Sequence, residues 1–127
     1  MANNTITFNP DSNVAFGVNL TILEGADFKS TFKVNKENKS AFDLTGYSIH
    51  GKMKKSVAIG SSTGGIQGFN SGITSAAGGE FNISLTDTIT KNLKPGRYYY
   101  DINVVSSAST VYKMVSGNIV VEGGLSI

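Results

Sequence analysis

Apolar and polar residues alternate along most of the chain. In "DFKSTFKVN", Phe28, Ser30, Phe32 and Val34 share one phase, and Lys29, Thr31 and Lys33 take the other. A period of two belongs to a β-strand with one buried face. "GYSIHGKMKKS" repeats it, with Tyr47, Ile49, Gly51 and Met53 opposite Ser48, His50, Lys52 and Lys54. "GEFNISLT" sets Phe81, Ile83 and Leu85 against Asn82 and Ser84. In "RYYYDINVV" the phase assigns Tyr98, Tyr100, Ile102 and Val104 to the core, and Tyr99, Asp101 and Asn103 to the other side. Further strands read in "NTITF", "VNLTIL" and "STVYKMVSGNIVV". About seven or eight short, half-apolar strands predict an all-β, Ig-like antiparallel β-sandwich.

The connections fit that reading. "NKENKS" is a charged hairpin turn, and in "FDLTG" the Asp43 side chain can cap a turn that Gly46 completes with a positive φ. Gly117 interrupts the last strand and marks a bulge or a close approach of two backbones. One short helical turn is expected in "SLTDTITKNLKPG", with Asp87 or Thr88 as N-cap and Pro95-Gly96 as its end. Tyr98, just past that turn, is placed to anchor a sandwich corner through its hydroxyl.

Residues 57–79 form a long irregular insertion with seven glycines, yet Ile59, Ile66, Phe69 and Ile73 punctuate it. A free linker does not carry such anchors, so the insertion should lie on the domain or on a neighbouring subunit. The organisation that follows is an N-terminal arm over residues 1–19, a sandwich over 20–122, and a tail over 123–127.

Composition narrows the function classes. At 127 residues the chain suits one domain. Only 16% of residues are charged, and the Ser, Thr, Asn and Gly in their place are poor helix formers. The net charge of +2 is too balanced to argue for nucleic acid. Without cysteine there are no disulfides or thiolate metal sites. "MANNTITFNP" has no basic-plus-apolar leader and no apolar run is long enough to span a bilayer, which predicts a protein made in the cytosol and independent of membranes.

Candidate chemistry is sparse. "GSSTGG" lacks the Lys-Ser/Thr pair and the following helix that a phosphate loop needs. His50 is the lone imidazole and falls on the polar phase of its strand, so neither a catalytic triad nor a transition-metal site is expected. No calcium-loop spacing of acids occurs. Lys52 and Lys54 share the polar face with His50, and Lys55 begins the next turn; a solvated face is the simpler reading. The expectation is a non-catalytic protein with no cofactor, metal or small-molecule substrate.

The order of motifs adds a resemblance. "DLTGYSIHGKMKKS" is followed by the insertion and then by "GEFNISLTDTITKNLKPGRYYYDINVVSSASTVYKMVSGNIVVEGG". From about Ile22 to Glu122 this resembles a small β-sandwich family of tailed bacteriophages, found at the N-terminus of baseplate upper proteins and as stand-alone virion proteins. The insertion and the stretch before Leu20 extend the family's pattern. The resemblance implies a structural role in the virion, in the tail, baseplate or neck or as capsid decoration, and no catalytic residues.

Assembly is then the expected mechanism, with other virion proteins and further copies of the chain as partners in a symmetric homo-oligomer. The candidate contacts are Thr5, Ile6 and Phe8 near the start, Ile59, Ile66, Phe69 and Ile73 in the insertion, Tyr99, and Leu125 and Ile127 at the end. The alternative is a carbohydrate- or receptor-binding sandwich that uses Tyr99, Tyr112 or Phe69 as a stacking platform.

Overall fold

A computed structural model describes residues 4–9, 15–55 and 66–123. Ten strands and one helical turn follow in order: β1 (Asn4–Thr7), β2 (Phe16–Gly17), β3 (Leu20–Leu23), β4 (Phe28–Asn35), β5 (Ser48–Lys55), β6 (Ile66–Gly68), β7 (Asn70–Ser75), β8 (Glu80–Leu85), α1 (Asp87–Thr90), β9 (Gly96–Val105) and β10 (Val111–Glu122). They form a four-stranded sheet, β1-β4-β8-β7, and a six-stranded sheet, β2-β10-β9-β5-β6, in which β3 also pairs with β10. The all-β sandwich expected from alternation is therefore present, with more strands than expected.

The alternating residues meet between the sheets. Phe32 and Phe81, paired across β4 and β8, stack at 5.0 Å with their rings nearly parallel. Ile22, Val34, Ile83, Ile102, Val104 and Ile119 are buried beside them. Burying side chains of this size stabilises by roughly 1.5–3 kcal/mol each relative to exposure.

Both sheets are mixed, not purely antiparallel. β1 runs parallel to β4, and β2 and β3 both run parallel to β10. Residues 4–9 and 16–19 thus belong to the sandwich and not to a separate arm. Ile6 is fully buried, and Phe8 packs edge-on against Phe42 and Tyr112 at 5.2 and 5.9 Å. These two side chains face the chain's own core, which corrects their reading as partner contacts. An apolar residue at a sequence end reads the same whether it fills its own core or a neighbour's.

From Ile66 on, the insertion is anchored through Phe69 and Ile73, which pack on the core, while Ile66 is exposed and Ile59 lies outside the described residues. β6 extends the six-stranded sheet beside β5, and β7 extends the four-stranded sheet beside β8. Phe69 lies at the crossing; its N–H donates to the Gly51 carbonyl at 2.9 Å, and its ring packs against Phe28 and Tyr100. The Ser71 hydroxyl donates to the Ile49 carbonyl at 2.8 Å. This side of the sandwich is laced shut.

Local chemistry follows the sequence closely. Asp43 accepts the Thr45 N–H at 2.9 Å, and Gly46 has φ +83°. Hydrogen bonds from Thr45 hold the Asp43 carboxyl below its usual range. The Tyr98 hydroxyl donates to the Lys94 carbonyl at 2.9 Å and so pins the corner into β9. The helix cap differs from expectation. Thr86 occupies the N-cap position without a side-chain bond, and the Asp87 N–H is instead capped by Asp27 at 2.8 Å, a carboxylate from the loop before β4. Thr90, fully buried, donates to the Ala26 carbonyl of the same loop at 2.8 Å.

Candidate functional site

The outward phase of the six-stranded sheet gathers side chains from five strands. Register places Lys54, Tyr99 and Asn118 in one row across β5, β9 and β10, and Lys52, Asp101 and Ser116 in the next. Ile66 of β6 pairs with Lys54 and extends the first row. Lys113 sits opposite Asn103 and reaches Asp101 at 3.5 Å, the one ion pair among the described residues. Leu23, Thr21 and Val120 carry the same face to the edge at β3.

This face is unusual for its exposed apolar area. Of six large apolar residues left exposed among those described, Leu23, Ile66, Tyr99, Val111 and Val120 take the outward phase of this sheet. Tyr99 and Ile66 are 59% and 63% exposed. Together with Lys52, Lys54, Asp101 and Asn118 they line a hollow of about 500 Å³. Single exposed apolar side chains are ordinary, but five on one sheet face, two of them together at this hollow, mark a surface that meets something.

Its polar groups are incompletely satisfied. The Oδ1 atoms of Asp101, Asn103 and Asn118 are shielded from solvent and have no hydrogen-bond partner among the described residues. Such an orphan costs about 1–3 kcal/mol. Lys113 offsets the charge of Asp101, and Lys52 and Lys54 have no ion pair among the described residues, so the hollow's described lining carries net positive charge.

A second feature lies at the edge opposite the laced side. β1 and β3 are the outer strands there, and a groove of about 380 Å³ opens between them, with Asn4, Leu20, Leu23 and Phe28 along it. Unpaired backbone N–H and C=O groups on such edges are ready to pair with another chain.

The expected contact residues divide accordingly. Tyr99 and Ile66 come together on the outer face, and Thr5 is exposed on the β1 edge. Ile6 and Phe8 are core. Phe69 and Ile73 are half-buried and pack on the core. Ile59, Leu125 and Ile127 lie outside the described residues. Of the alternative's platforms, only Tyr99 stands open; Tyr112 is half-buried against the core beside Phe8. His50 is exposed, 3.3 Å from the Ser48 hydroxyl.

Sequence reasoning missed Leu23, Lys113, Asn118 and Val120. The outward phase of Leu23, Asn118 and Val120 was readable, but only the parallel placement of β3 beside β10 joins Leu23 to Val120. Lys113 falls next to Asp101 because the β10 register shifts between Lys113 and Val115.

No protein-family model matches the sequence, and no curated protein matches it. By fold the chain is similar to the N-terminal domain of phage TP901-1 ORF48, over 94% of each chain, with a TM-score of 0.50 and 11% identity. Looser similarities are to a family 123 glycoside hydrolase from Clostridium perfringens (TM-score 0.40, 14% identity, 86% of this chain and 23% of that one) and to the bradyzoite-specific antigen BSR4 from Toxoplasma gondii (TM-score 0.37, 9% identity, 94% and 49%). Those two are too loose to bear on function. The similarity to the phage domain is one of fold.

Proposed function

We propose that the chain is a non-catalytic structural component of a tailed-bacteriophage virion. The observation that carries this reading is the end-to-end similarity in fold to a phage domain, over 94% of both chains. The order of sequence motifs from about Ile22 to Glu122 supports it independently. Within the particle it serves as a tail, baseplate or neck adaptor or as a capsid decoration protein.

The mechanism is assembly with other virion proteins and further copies of the chain, with no cofactor and no chemical step. Among the described residues β1 and β3 have no further strand beside them, so their edges offer backbone groups, and the groove between them offers apolar side chains, to a strand or loop from a neighbour. Thr5, outward on β1, sits at this edge. Strand addition here extends either sheet without disturbing the core.

Mass spectrometry of virions purified through a density gradient tests the proposal. Peptides of this chain are expected in stoichiometric ratio to other virion proteins. Their complete absence from intact, infectious particles would sink it.

A further inference from the structure

The geometry points to the hollow on the outer face of the six-stranded sheet as a binding site for an acidic saccharide, a carboxylate-bearing pyranose such as a uronate. This goes beyond the assembly reading, which uses the opposite edge of the sandwich.

Three features together select that ligand. Tyr99 stands 59% exposed at the hollow, held on a rigid strand between Lys54 and Asn118. Its ring offers a flat apolar platform of the kind that takes the C–H face of a sugar ring. Beside it, Asp101 and Asn118 carry acceptor oxygens with no partner among the described residues. Both oxygens are shielded from solvent in the unliganded chain, and a sugar hydroxyl that reaches them supplies the missing donor. Finally, Lys52 and Lys54 carry charge that no carboxylate among the described residues offsets, because Asp101 is already paired with Lys113. A sugar carboxylate complements those two ammonium groups.

Size and shape agree. From β6 to β10 the face spans four strands, about 14 Å at ordinary strand spacing, which accommodates two or three pyranose rings. A second copy of the chain would bring the same uncompensated lysines against each other.

The test is an NMR titration of the full-length, isotope-labelled chain with tetragalacturonate, with maltotetraose as the uncharged control. Shifts are expected for residues 52–54, 66, 99–101 and 116–118 with the acidic tetrasaccharide, and weaker binding by at least about fivefold with the neutral one. Tyr99→Ala is expected to lower affinity about tenfold, and the Lys52→Ala/Lys54→Ala double variant about fivefold, with the salt dependence reduced. All three side chains point outward, so an unchanged amide spectrum away from the hollow certifies the fold of each variant. Equal binding of both sugars, shifts elsewhere on the domain, or no shifts at millimolar saccharide each overturn the proposal; the last leaves the face to a protein neighbour. Detection of the chain in virions is a separate result, so either reading can fail alone.

Discussion

Gly117 and Val18 touch backbone to backbone: a Cβ built on Gly117 would run into the Val18 carbonyl oxygen. That same oxygen accepts the Tyr100 hydroxyl at 2.6 Å, and the Val18 N–H donates to the Ser116 carbonyl at 3.1 Å. The stretch between β2 and β3 is thus fastened to β10 and β9 at one point. Gly117→Ala is expected to destabilise by about 3 kcal/mol through forced displacement of Val18. Gly46→Ala meets only Ser107 Cβ, at 3.8 Å, and suffers only its positive φ, so it should cost about 1–2 kcal/mol. Urea denaturation of both variants ranks them.

Tyr100 makes the fold sensitive to alkali. Burial raises its hydroxyl well above the ordinary phenol value of about 10, and burial raises Tyr98 against the opposing effect of its bond to Lys94. A group whose folded pKa is raised stabilises fully below its unfolded value. Above pH about 10 the unfolded chain releases that proton while the folded chain retains it. Stability should therefore fall, by up to about 1.4 kcal/mol per pH unit for each such group. Tyr100→Phe should cost about 1–2 kcal/mol at neutral pH by orphaning the Val18 carbonyl. Above pH 10 its stability should fall less steeply than that of the wild type. Denaturation curves across that range supply the comparison.

Neighbouring residues of β1 should respond in opposite ways. Ile6 is fully buried and Thr5 is exposed on the same strand. Ile6→Ala is expected to cost about 2–5 kcal/mol, and Thr5→Ala to stay within about 0.5 kcal/mol. A small loss at Ile6, measured by thermal and urea unfolding, would remove β1 from the core.

The helical turn is held by its buried threonine. Thr90→Val keeps the shape but removes the donor to Ala26, and should cost about 1–3 kcal/mol. Thr90→Ser should recover most of that. Hydrogen exchange of the loop before β4 should accelerate in the valine variant and stay near wild type in the serine variant.

The sequence alone determined which residues face the core in the central strands β4, β5, β8 and β9. Alternation separated Tyr99 from Tyr98 and Tyr100 and placed His50 and the lysines outward, while Gly117 was marked as a bulge or a close approach, of which the structure shows the second. Turn chemistry located the Asp43–Gly46 bend and the Tyr98 corner. These features are local, since they depend on side-chain phase and on φ preferences a few residues apart. Strand partners are different, because ladders are made by backbone groups common to every residue. Nothing in "NTIT" specifies a parallel seat beside β4, and nothing in "LTIL" specifies one beside β10. Only the tertiary structure decided that Ile6 and Phe8 complete the chain's own core, that Asp27 caps a helix 60 residues away, and that Tyr99, Ile66 and three lysines share one hollow.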